Sequence, residues 1–100
     1  MRTVVIHDPD RWPSRAAAER ALAAEGLEPR LWSNGAGVVY GEHAHAQHKV
    51  LVCVSGSIVF HTAEGDAALT AGDRMELPAG VEHAATVGAD GVECAEAYRA

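Results

Sequence analysis

Gly37-Val-Val-Tyr-Gly-Glu-His43-Ala-His45-Ala-Gln-His48-Lys49-Val-Leu-Val-Cys-Val-Ser-Gly56 and Gly72-Asp-Arg-Met-Glu-Leu-Pro78-Ala-Gly80-Val-Glu-His83 are the stretches that decide how this chain is read. His43 and His45 are two positions apart, so on a strand or strand edge both side chains leave from one face. Along a strand that spacing is about 6.5–7 Å, short enough for both rings to reach one ion at about 2.0–2.2 Å per bond. His83 is distant in sequence and must arrive from another strand. It follows Pro78-Ala-Gly80, a rigid turn that fixes where that strand begins. Two imidazoles from one face and a third from a partner strand make a facial three-nitrogen arrangement, which leaves open positions on a metal. Taken alone, an H-x-H pair also occurs on solvated surfaces.

Outward from these stretches, turn residues recur every six to ten positions from Glu28 onward, and almost no helical period survives. Leu31–Ser33, Gly37–Tyr40, Val50–Val54, Ser57–Thr62, Ala67–Leu69, Met75–Leu77, Ala85–Val87 and Val92–Tyr98 read as strands. Ser55-Gly56 and Ala63-Glu-Gly-Asp66 read as hairpin turns. Short strands at this spacing predict an all-β sandwich or barrel. Before them, Thr3–Ile6 predicts a strand closed by Asp8-Pro9. Arg15 to Glu25 predicts a helix, with Ser14 as N-cap, Gly26 as its stop, and Ala18, Ala21, Leu22 and Ala24 as its buried stripe. The expected organisation is one domain, with residues 1–27 packed as strand and helix on a barrel formed by 28–100.

Composition excludes several function classes. The net charge is −6, with seven arginines and one lysine, so no clustered basic surface is available for nucleic acid. No run of 18 apolar residues spans a membrane, and the N-terminus lacks a secretory signal, so a cytoplasmic location is expected. Twenty residues are alanine and five are aromatic, which makes a thin core and favours a homodimer through a sheet. Cys53 and Cys94 have no C-x-x-C spacing and read as reduced, buried thiols.

The two histidine-bearing stretches resemble the two motifs of the cupin superfamily. The first motif runs Gly, five residues, His, one, His, three or four, Glu, six, Gly. Gly37, His43, His45 and Gly56 fill four of its five slots. The second runs Gly, five, Pro, one, Gly, two, His, three, Asn, where Gly72, Pro78, Gly80 and His83 fill four of five. The resemblance spans about Leu31 to Tyr98 and leaves the N-terminal helix outside. It implies a small jelly-roll barrel with one metal near the mouth, held by His43, His45 and His83. The ion would be one divalent transition metal, from Fe, Mn, Ni, Zn or Cu.

Two slots depart from the pattern. Val87 stands in place of an Asn that ligates nothing. Lys49, the only lysine, stands in place of the ligand Glu. Strand parity points residues 43, 45 and 49 into the same pocket. A cation there raises a divalent site from about +1 to as much as +3. Each unit-charge interaction at 4–6 Å is on the order of 3–4 kcal/mol. Relief comes if Lys49 is neutral, if it pairs with an acid such as Glu42, Glu76 or Glu82, or if no metal binds. A bulge could instead turn His48 inward to give a four-His site, whereas plain parity leaves His48 on the surface. His7 and His61 fall outside the motifs and read as solvated or hydrogen-bonded. Trp12, Trp32 and Tyr98 read as core or interface aromatics, one of which could floor a pocket.

Two functional readings follow. One is a metal-dependent small-molecule enzyme of dioxygenase or isomerase type, with Lys49 as a catalytic base or as a holder of negative charge. The other is a binding or sensing module without turnover, with or without metal.

Overall fold

The computed structural model describes residues 3–99. In chain order it contains β1 (Val4–His7), α1 (Arg15–Ala24), β2 (Arg30–Asn34), β3 (Val39–His43), β4 (His48–Thr62), β5 (Gly65–Thr70), β6 (Asp73–Leu77) and β7 (His83–Arg99). The strands form one antiparallel sheet ordered β1-β6-β4-β7-β2, with β3 also on β7 and β5 also on β4. This is a small jelly-roll β fold, within the all-β class that the strand spacing predicts and as the cupin resemblance implies.

Two pairs of predicted strands prove to be single long ones. Val50–Val54 and Ser57–Thr62 join as the 15-residue β4, while Ala85–Val87 and Val92–Tyr98 join as the 17-residue β7. Ser55-Gly56 is therefore not a hairpin. The ladder between β4 and β7 continues past it, with register shifts between Cys53 and Ser55 and between Gly56 and Ile58. Bulges bend a strand without ending it. Gly56 has φ +71°, and a Cβ there would stand 1.9 Å from the Gly91 carbonyl oxygen. Only glycine fits so close a backbone crossing.

The apolar run at the start of β4 serves two layers. Leu51 and Cys53 face a core shared with Ile58, Phe60, Leu69, Met75, Leu77 and Cys94. Val50 and Val52 face the other way, with Ala95 and Ala97, onto Trp12, Ala18 and Leu22. Burial on both faces explains why the run lacks alternation. Ser14 caps α1 by accepting from the Ala17 N–H at 3.2 Å, and Gly26 takes φ +80° just past the end. The expected helical stripe narrows to Ala18 and Leu22, with Ala21 half-buried and Ala24 exposed. Cys53 and Cys94 are buried, free and opposite each other across the ladder.

The end of α1 is tied to the sheet by charge. The Arg74 guanidinium donates to both oxygens of Glu25, and Arg99 donates to the same carboxylate at 2.9 Å. Arg74, then Arg99, hold the Glu25 carboxyl down at about 2 against the opposing effect of burial. No helix among the described residues is long and apolar enough to cross a membrane.

Candidate metal centre

His43 is the last residue of β3 and His83 the first of β7, and their Cα positions are paired across the ladder. His45 lies beyond the end of β3, so it does not reach the site by strand alternation. A loop contact places it: the Gly80 N–H donates to the His45 carbonyl at 2.8 Å. The Pro78-Ala-Gly80 turn thus sets the start of β7 and also holds the segment carrying the second histidine. Ring centroids are 4.9 Å apart for His43–His45, 4.3 Å for His43–His83 and 5.2 Å for His45–His83. One ring nitrogen from each lies within 4.8 Å of the others.

The hydrogen bonds around the rings leave ligand atoms free. His43 Nδ1 lies 2.7 Å from the Gly41 carbonyl and His83 Nδ1 lies 3.0 Å from the Val81 carbonyl. A carbonyl only accepts, so both Nδ1 atoms carry the proton and both Nε2 atoms present a lone pair. The Nε2 atoms of His45 and His83 are buried without a hydrogen-bond partner. A buried polar atom without a partner is costly, and a metal ion is one species that satisfies several such nitrogens at once. Burial, then the charges of Lys49 and His43, pushes the His45 pKa down, while burial is also the largest cause lowering His83. Both effects favour the neutral imidazole, the form that ligates. The residues fit a metal.

The rings open into a pocket of about 460 Å³, whose walls include Trp32, Tyr40, Lys49, Phe60, Glu96 and Tyr98. Lys49 faces this pocket from β4, across a loop from the strand that carries His43, and its Nζ lies 2.8 Å from Glu96 Oε1. The predicted acid partner was Glu42, Glu76 or Glu82, but the partner is a residue of β7 that sequence reasoning missed. Glu96 also accepts from Trp32 Nε1 at 3.2 Å and from the Tyr98 hydroxyl at 3.4 Å. It faces inward because it stands across from Leu51, and only the register between β4 and β7 reveals that. Burial, then the Glu96 charge, raises the Tyr98 pKa.

His48 does not turn inward. It shares the outer face of β4 with Val50, and its Nε2 lies 2.9 Å from Glu76. His61 bridges Asp66 at 2.8 Å and Thr86 at 3.0 Å, and His7 pairs with Asp73. Asp73 is buried and accepts from the Thr70 N–H at 2.8 Å. Trp12 is core, whereas Trp32 and Tyr98 line the pocket.

Solved structures share the fold. A cupin domain from Bordetella pertussis is 26% identical, with a TM-score of 0.58 over 74% of this chain and 82% of its own. A DUF861 family protein from Thermotoga maritima has a TM-score of 0.70 at 12% identity, over 98% of this chain and 100% of its own.

The chain has the fold of a small cupin domain.

A structure of DMSP lyases is 29% identical to the domain, with a TM-score of 0.68 over 74% of this chain. The match spans only 38% of that longer protein. No protein-family profile and no curated protein matches the sequence. The His43, His45 and His83 cluster of this cupin domain could bind a metal.

Proposed function

We propose that His43, His45 and His83 hold one divalent transition metal and that this cupin is a metal-dependent enzyme acting on a small molecule. The observation that carries the reading is the pair of buried, unpartnered Nε2 atoms on His45 and His83, within ligand distance of His43. Three neutral nitrogen ligands suit Fe, Mn, Ni, Zn or Cu better than they suit the oxygen-seeking Mg or Ca. When bound, the ion supplies Lewis-acid polarisation of a ligand oxygen or, with iron, O₂ chemistry.

The chain's own residues do the rest. The backbone carbonyls of Gly41 and Val81 fix two tautomers. The Lys49 ammonium supplies positive charge at the pocket wall, where we assign it the role of holding developing negative charge on the substrate. Glu96 balances Lys49, so the departure from the motif's Glu leaves the pair neutral. The ordinary objection to a lysine beside a divalent ion is thereby reduced, because a neutral pair repels far less than a bare ammonium does. Similarity to a structure of DMSP lyases supports a small-molecule substrate. As the reaction class we propose dioxygenase- or isomerase-type turnover, on the three open-faced nitrogen ligands.

Metal analysis of protein purified without chelator or affinity tag tests the site. About one equivalent of transition metal is expected, lost in a His43→Ala/His45→Ala double variant. Less than about a tenth of an equivalent after reconstitution refutes it. Oxygen uptake with diketones and flavonols on the iron-loaded protein, run beside isomerase assays, separates turnover from a binding module. We further propose a homodimer. The edge strand β1 exposes Val4, Val5 and Ile6, and sedimentation velocity reads the mass directly.

A further inference from the structure

We propose that the pocket selects a small organic carboxylate with an apolar body, its carboxylate held by Arg30. The inference deepens the metal-enzyme reading above by naming the substrate class. The charged side chains lining the pocket, apart from the histidines, are Arg30, Lys49 and Glu96. Lys49 and Glu96 neutralise each other at 2.8 Å, so the walls carry the one positive charge of Arg30. Arg30 has no hydrogen-bond or ion-pair partner among the described residues. Its nearest acid across the ladder is Glu96, whose oxygens are already taken by Lys49, Trp32 and Tyr98.

Arg30 is exposed at the start of β2, so its guanidinium is open to a ligand entering the pocket. Its planar fork matches a carboxylate bidentately. The three imidazole ligands carry no negative charge, so a divalent ion at the triad would leave the pocket still more positive. An anionic ligand relieves that excess and a neutral one does not. The same pocket is lined by Leu31, Ile58, Phe60 and Ala85, an apolar surface suited to a hydrocarbon or aromatic body. A pocket of about 460 Å³ admits a molecule of this kind.

Calorimetric titration of the whole protein with mandelate and with its uncharged analogue mandelamide tests the proposal, in metal-stripped and zinc-loaded forms. Mandelate is expected to bind at least about tenfold more tightly than mandelamide, even to the stripped protein. Arg30→Gln should bring the two within about threefold while leaving zinc stoichiometry and melting temperature at their wild-type values. Equal binding of the two probes overturns the inference. So does an undiminished preference in R30Q, or no binding of mandelate to either form at about 10 mM. Failure to take up zinc refutes the metal centre, yet the carboxylate preference of the stripped protein would still stand or fall by itself.

Discussion

Removing one charge of the Lys49–Glu96 pair should cost more than removing both. The Lys49 side chain is 8% exposed and that of Glu96 is 17% exposed, so neither is well hydrated when its partner is gone. Glu96→Gln leaves the ammonium with no other ion-pair partner among the described residues, and a stranded buried charge costs about 3 kcal/mol. Lys49→Met leaves Glu96 with the Trp32 and Tyr98 donors, so the smaller loss of about 2 kcal/mol is expected. The double variant removes both desolvation penalties and should lie within about 2 kcal/mol of wild type, giving a coupling energy of about 3 kcal/mol. The assay is urea denaturation of chelated protein at pH 7, with the slope checked for constancy. Additive losses in the double variant would refute the argument that Glu96 is what makes a lysine tolerable at this position. Metal affinity supplies a second reading. A bare ammonium beside a dication should weaken zinc binding to E96Q by roughly tenfold or more.

Other perturbations test the scaffold. Glu25→Gln should cost about 1–2 kcal/mol at pH 7, after allowing for solvent screening of a side chain 27% exposed. The folded carboxyl sits at about 2, below its ordinary value of 4.5. The contribution is therefore complete above about pH 5 and is lost as pH falls through 4.5 toward 2. Melting curves of the two proteins should accordingly converge in acid, and a constant gap down to low pH would exclude the charge explanation. Gly56→Ala should destabilise by at least about 4 kcal/mol, since its Cβ would overlap the Gly91 carbonyl; a near-wild-type melt would show the bulge to be pliable. Leu22→Ala should cost about 3 kcal/mol by opening the layer between α1 and the sheet. Its zinc stoichiometry should stay unchanged, because that layer lies on the opposite face from the pocket.

The helix was readable because its signals are local. A serine cap, a run of alanines and a glycine stop act within a few residues, and the chain obeys them from Ser14 to Gly26. Strand locations were readable for the same reason, but strand continuity was not. A glycine between apolar runs signals both a hairpin and a bulge, and the close crossing of Gly56 over Gly91 exists only once β4 and β7 are paired. The three histidines were legible from motif spacing, whereas the inward direction of Lys49 was not a matter of parity with them, because β3 ends at His43 and Lys49 lies on β4.

Tertiary structure alone decided what stands beside that lysine. Glu96 is 47 positions away from Lys49 by the numbering, and nothing near it in sequence marks it as a pocket residue. The antiparallel register that sets Leu51 against Glu96 puts the acid on the inner face. The tie from Gly80 to His45 was equally hidden, because a backbone hydrogen bond between two loops carries no side-chain signature. Residue type and spacing therefore determined which atoms were available for chemistry. Which of them met, and with what net charge, was settled by long-range pairing, since electrostatic and hydrogen-bond energies depend on distances that the chain acquires only when folded.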